Sequence, residues 1–151
     1  MGKPSYVGHY ADNHKGIALG FDIKNNNLTE VDYIDNLNKY DKSNMSPIEM
    51  ESMKTSLKNS KFSQWKYENE SRLTLKLNEC DNEGDLYFYS LDKINLKEII
   101  VGANCQIDLK IIKKLIDNIR PKDNINIIKA RIAFTEFKIT KDKIKTKNGL
   151  K

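Results

Sequence analysis

Hydrophobic and polar positions along this chain follow two periods, one of two residues and one near 3.6. Over residues 16–23, Ile17, Leu19, Phe21 and Ile23 share one side and Ala18, Gly20 and Asp22 the other, the alternation of a strand. Asn25, Asn26 and Asn27 read as a turn, because Asn tolerates left-handed backbone. Leu28 to Ile34 then reads as the pairing strand, with Val31 and Tyr33 facing inward, and residues 35–45 lack any period and read as a loop. Ser46-Pro47-Ile48-Glu49 predicts a helix start, with Ser46 as cap, Pro47 in the first helical position and Glu49 completing a capping box. Met50, Met53 and Leu57 follow at helical spacing, and the helix is expected to end near Asn59.

Trp65 to Leu77 reads as extended, with Leu73, Leu75 and Leu77 on one face. A turn over residues 81–84 leads into Leu86-Tyr87-Phe88-Tyr89, a nearly continuous apolar strand, and Leu96 to Val101 is a further strand ended by Gly102. Asp108 caps a second helix whose stripe is Leu109, Ile112, Ile116 and Ile119, and Pro121 stops it. Ile125 to Ile139 is rich in β-branched and aromatic residues; its parity slips between Ile127 and Ile128 and again near Phe137, which predicts a bulge. The expected fold is α+β, a mixed, mostly antiparallel sheet of about six strands with two helices.

Composition narrows this picture. A chain of 151 residues is expected to hold one core. Charged residues make up 31% of the chain, above the usual share of about 25%. The net charge of +5 is concentrated at one end: residues 138–151 carry Lys138, Lys141, Lys143, Lys145, Lys147 and Lys151 against a single acid, Asp142, and the remainder is balanced. The organisation expected is a single domain over residues 1–140 and a solvated, flexible Lys-rich tail over 141–151. With the rest of the chain neutral and only Arg72, Arg120 and Arg131 as arginines, a nucleic-acid partner is not expected. Cys80 and Cys105 stand in no metal or redox spacing, no apolar leader follows Met1, and no apolar run approaches membrane length. A cytoplasmic protein without a membrane partner is the expectation, its oligomeric state open.

Two segments carry candidate chemistry. The first, Tyr6-Val7-Gly8-His9-Tyr10-Ala11-Asp12-Asn13-His14-Lys15-Gly16, holds both histidines just before a strand. The second, Trp65-Lys66-Tyr67-Glu68-Asn69-Glu70-Ser71-Arg72, holds the only Trp and one of the three Arg. On a strand, Glu68, Glu70 and Arg72 point to one face. Two readings follow. Those side chains are a solvated outer face with an ion pair worth about 0–1 kcal/mol. Alternatively, they converge on a cleft, where carboxylates that close raise one pKa and suit a general base, with Arg72 holding a phosphate or fixing a carboxylate. His9 and His14 lack the further ligands of a metal site, and a hydrogen bond to a loop carbonyl is the simpler role for either. Trp65 and Tyr67 read first as packing residues, with base stacking as the second reading.

The run His9-Tyr10-Ala11-Asp12-Asn13-His14-Lys15-Gly16-Ile17 with Leu19-Gly20-Phe21-Asp22, then Lys61, Trp65-Lys66-Tyr67-Glu68-Asn69-Glu70-Ser71-Arg72, and then Leu96-Lys97-Glu98-Ile99-Ile100-Val101-Gly102, resembles domain-of-unknown-function family 2971. This is a bacterial family also found near mobile elements. The resemblance runs from about Tyr6 to Ile139. It implies a C-terminal portion of a family member, because the family's N-terminal section has no counterpart in this chain and Val7-Gly8 stands where the family has Trp-Ser. The Glu-x-Glu with an earlier His-Tyr is also similar to the site logic of ADP-ribosyltransferases. That similarity implies Glu70 as the catalytic carboxylate, Glu68 handling the acceptor, and His9, Tyr10, His14, Trp65 and Arg72 contacting a nucleotide, with NAD as cofactor. The alternative is a non-catalytic truncated fragment or interaction module of a mobile-element or phage-defence-associated protein.

Overall fold

The structure, a computed structural model, describes residues 12–23, 28–37, 39–90, 94–136 and 138–150. Along them run β1 (Ile17–Asp22), β2 (Leu28–Glu30), β3 (Asp32–Ile34), α1 (Pro47–Asn59), β4 (Ser60–Phe62), β5 (Ser71–Leu73), β6 (Asp81–Glu83), β7 (Leu86–Phe88), β8 (Asn95–Val101), α2 (Leu109–Ile119), β9 (Asn126–Ile132), β10 (Ile139–Lys141) and α3 (Lys143–Gly149). The fold is α+β with mixed, mostly antiparallel pairing. The expected six strands are instead ten among the described residues, most of three residues, and a third helix joins the two expected. The chain divides into two compact units, Met1–Ile23 with Phe88–Lys151, and Lys24–Tyr87. No helix among the described residues is long and apolar enough to cross a membrane.

In the first unit a four-stranded sheet has the order β1-β8-β9-β10. β1 runs antiparallel to β8, β9 parallel to β8, and β10 antiparallel to β9. A parallel neighbour needs a crossover, and α2 supplies it between β8 and β9. Asp108 caps α2 as expected, its carboxylate accepting the Lys110 N–H at 2.9 Å. Leu109 and Ile112 of α2 join Leu96, Ile99, Val101, Cys105 and Ile127 in the core, where Val101 is fully buried. The parity slip in β9 is not a bulge: Ile127 and Ile128 pair in unbroken register with Ile99 and Ile100. Both are buried because β9 is covered on both faces, so it has no polar side to alternate with. Phe137 lies outside the described residues. A register shift does occur in β1, between Gly20 and Phe21. Ile17 and Leu19 remain about half exposed.

Lys129 of β9 is buried, and its ammonium donates to the carbonyls of Gly102 at 2.8 Å and Cys105 at 2.5 Å. The loop it ties down holds the segment before β1. Asn104 donates from its backbone to the His14 carbonyl and from its side chain to the Asn13 carbonyl, each at 3.0 Å, and the Gly102 N–H donates to the Gly16 carbonyl at 3.0 Å. Asp12, Asn13 and His14 are all left-handed, with φ of 44°, 52° and 67°. A Cβ at position 102 would lie 2.1 Å from the His14 carbonyl oxygen, which explains the glycine there. Over the stretch expected as a tail, Asp142 caps α3 by accepting the Lys145 N–H at 2.8 Å, and Thr146 is buried with its hydroxyl accepting the Lys129 N–H at 3.0 Å.

In the second unit α1 begins with the expected capping box: the Glu49 N–H donates to the Ser46 hydroxyl at 3.3 Å and the Ser46 N–H to the Glu49 carboxylate at 2.8 Å. The strand expected over Leu28–Ile34 is two. β2 pairs antiparallel with β5 and β3 parallel with β4, and the switch falls at buried Val31, whose N–H donates to the Glu70 carbonyl at 3.1 Å. The extended stretch expected from Trp65 is a 3-10 helix over Ser63–Glu68, and β5 is strand only over Ser71–Leu73. β6 and β7 form a two-stranded sheet around Gly84 at φ 61°. Leu86, Tyr87 and Phe88 stay about half exposed there, so that apolar run is not a core strand.

Candidate functional site

The parallel register of β3 and β4 sets Tyr33 opposite Lys61. The 3-10 helix then carries Trp65, Tyr67 and Glu68, and Asn69 at φ 50°, ψ 55° reverses the chain before Glu70. A left-handed residue suits Asn, whose short polar side chain tolerates that region. The reversal, not strand parity, brings Glu68 and Glu70 to one amine. Lys61 donates to Glu68 Oε2 in a short contact and to Glu70 Oε2 at 3.0 Å. Arg72 reaches Glu70 from β5 with Nε to Oε1 at 2.7 Å and Nη2 to Oε2 at 3.4 Å, a fork on one carboxylate. Its Nη1 donates to the Lys58 carbonyl in the last turn of α1. The Glu70 N–H donates to the Tyr33 hydroxyl at 2.8 Å.

The cluster therefore holds two carboxylates and two cations, all partly or fully shielded. Glu68 is 5% exposed. The Arg72 hydrogen bonds, with help from Lys61, hold the Glu70 carboxyl below its ordinary value despite its burial. At Glu70 the direction is opposite to the rise expected of one carboxylate in a close pair: cations lie between and beside the carboxylates, so at this group attraction outweighs their mutual repulsion. An ionised Glu70 accepts hydrogen bonds and stabilises positive charge; it does not act as an acid near neutrality. Beside it lie two rings about 40% exposed. The Trp65 and Tyr67 ring centroids are 5.9 Å apart, tilted by 37°, and the Lys61 ammonium is 5.2 Å from the Trp65 centroid. Ser63 donates to the Asp35 carboxylate at the start of the 3-10 helix.

Residues 8–73 match the model of a family described as protein of unknown function (DUF2971). The DUF2971 match covers less than half of the chain and ends on the last residue of β5. It takes in His14, Lys61, Trp65, Glu68, Glu70 and Arg72, whereas the Leu96–Gly102 stretch lies beyond it. No curated protein and no solved structure matches the chain.

Of the residues singled out from the sequence, Trp65, Glu68, Glu70 and Arg72 come together in the second unit. His14 belongs to the first unit, where its Nδ1 is buried without a hydrogen-bond partner among the described residues. His9 and Tyr10 lie outside the described residues. From the sequence, Tyr33 stands only as an inward-facing strand residue and Lys61 and Asn69 only within the family motif, none of them with a role in the site. Lys61 and Tyr33 meet the glutamates through strand register and loop reversal, which leave no periodic trace. Asn69, a left-handed-tolerant residue between two glutamates, was a readable signal. A separate open cavity of about 350 Å³ lies where Tyr40, Met45, Glu49 and Met53 meet, and none of the predicted residues lines it.

Proposed function

We propose that the Lys61–Glu68–Glu70–Arg72 cluster is the nucleotide site of an NAD-using, ADP-ribosyltransferase-like protein. The observation that carries this reading is an ionised Glu70, clamped by two cations beside two partly exposed aromatic rings. A fixed carboxylate of that kind accepts a hydrogen bond from a ribose hydroxyl and stabilises the positive charge that develops on the sugar as the glycosidic bond breaks. Nicotinamide leaves with the bonding electrons, and the acceptor nucleophile bonds to the same carbon and releases a proton. In this reading the partly buried rings of Trp65 and Tyr67 stack a planar base, and Glu68 orients the acceptor through Lys61.

A second reading, a non-catalytic interaction module, is favoured by the mutual neutralisation of the four charged groups and the burial of Glu68, which suit a scaffold. Thermal unfolding with and without NAD separates the two. A ligand that binds only the native state stabilises it by about 2.7 kcal/mol at a hundredfold excess over Kd. The expected result is a rise of several degrees that Glu70→Gln and Trp65→Ala abolish, with nicotinamide release by the unmodified chain. A cooperative transition that ignores NAD, with no nicotinamide released, leaves the module reading.

A further inference from the structure

We infer that the cavity beside the first half of α1 is a binding site for a free α-amino acid with an apolar side chain. The cavity holds about 350 Å³, within the roughly 300–1,000 Å³ of small-molecule sites. It lies wholly in the second unit and shares no lining residue with the Lys61–Glu70 cluster, so it stands or falls independently of the nucleotide reading. Glu49, Ser52 and Met53 line it from one face of α1, at the three- and four-residue spacing of helical neighbours. Lys39, Tyr40, Asp41 and Met45 line it from the chain leading into that helix, through a 3-10 turn over Lys42–Asn44.

The lining divides into an apolar part and a charged one. Met53 is buried and Tyr40 and Met45 are half-buried, whereas Lys39, Asp41, Glu49 and Ser52 are exposed. Two thioethers beside a ring adapt to side chains of differing shape. Both carboxylates are fixed before any ligand arrives. Asp41 Oδ1 accepts the Ser43 N–H at 3.0 Å and the Ser43 hydroxyl at 2.5 Å, and Glu49 Oε2 accepts the Ser46 N–H at 2.8 Å and the Ser46 hydroxyl at 2.7 Å. The Ser43 hydroxyl foremost at Asp41, and the Ser46 N–H foremost at Glu49, hold both groups below their ordinary values and hence ionised. Asp41 Oδ2 and Glu49 Oε1 are left without a partner among the described residues, and Lys39 and Ser52 make no hydrogen bond or ion pair there. An acceptor already immobilised costs less to use than a free side chain. The two fixed carboxylates suit an ammonium, the Lys39 amine suits a carboxylate, and the methionines and the ring suit an apolar body. A zwitterion with an apolar side chain uses all three. The selection rests on both signs of charge lining one cavity, not on their sum.

Amide chemical shifts of the full chain, followed as L-phenylalanine is added in the absence of NAD, test this. The expected result is a saturable change at residues 39–53. Binding is expected to be about tenfold weaker or more for phenylalaninamide, which lacks the carboxylate, and for N-acetylphenylalanine, which lacks the ammonium, each losing one charge-assisted hydrogen bond. Glu49→Gln keeps a capping-box residue and is expected to bind L-phenylalanine about tenfold more weakly. Lys39→Gln is expected to bind the acid and the amide alike. No saturable change at millimolar L-phenylalanine overturns the inference. So does equal binding of acid and amide by the unmodified chain, which needs no variant to fold, and so does a change centred on Lys61 and Glu70.

Discussion

The Tyr33 hydroxyl accepts the Glu70 N–H at 2.8 Å, and the Glu70 carbonyl accepts the Val31 N–H at 3.1 Å. The glutamate that carries most of the candidate chemistry is thus held from both sides of its backbone by one short segment around β3. The side chain is held separately, by Lys61 and Arg72. Backbone and carboxylate are fixed by different elements, so substitutions can release one without the other.

Tyr33→Phe removes only the acceptor of the Glu70 N–H. Leaving a partly buried donor unpaired costs about 1–3 kcal/mol, which lowers the melting temperature by several degrees. Circular dichroism melts of the two chains check this, and an unchanged transition would mean that water replaces the hydroxyl.

Glu70 makes stability depend on pH with a defined sign. Its folded pKa is lower than the ordinary 4.5, first through the Arg72 hydrogen bonds and then through Lys61. Its contribution is complete above 4.5 and is lost as pH falls through the folded value. Glu70→Gln is expected to melt below the unmodified chain near neutrality, and the gap is expected to close on acidification below that window. A gap independent of pH would remove the charge pairing as its cause.

Asn69 sets the reversal between the two glutamates with its φ of 50°. Asn69→Gly keeps that conformation at no steric cost and is expected to leave stability within a few tenths of a kcal/mol. Asn69→Val strains it by about 1–2 kcal/mol or more and is expected to part Glu68 from Lys61. Paired denaturant titrations measure both, and equal stability of the glycine and valine chains would show that the turn relaxes freely.

Lys129 is buried with two carbonyl acceptors, and burial pulls its ammonium below the ordinary lysine value of 10.5. The unfolded chain therefore binds the extra proton between the folded value and 10.5, and stability rises with pH across that window. Lys129→Met is expected to lose this slope. It is also expected to destabilise the protein by about 1–3 kcal/mol, because the Gly102 and Cys105 carbonyls lose their donor. Hydrogen exchange at Gly102 and Asn104 reports the loosening directly; unchanged protection there would show that the ammonium does not hold the loop.

The parts of this protein legible from its sequence are those whose causes lie within one turn of chain. Ser46, Pro47 and Glu49 marked the start of α1, Asp108 and Pro121 bracketed α2, and alternation placed β1, since caps and periodic faces depend on neighbours two to four residues away. The grouping of Trp65, Glu68, Glu70 and Arg72 was legible as a motif, although the reason given for it, strand parity, was not the operative one. The tertiary structure decided what depends on partners far along the chain. The run from Leu28 to Ile34 becomes two strands at Val31 because residues before it pair with β5 and residues after it with β4, Ile127 and Ile128 are both buried because β9 is covered on two faces, and Leu86 to Phe88 stay exposed because, among the described residues, only β6 pairs with them. Lys61 joins the carboxylates because β3 and β4 align in parallel, and from there it adds to the lowering of the Glu70 pKa that the Arg72 hydrogen bonds, from two residues along the chain, chiefly cause.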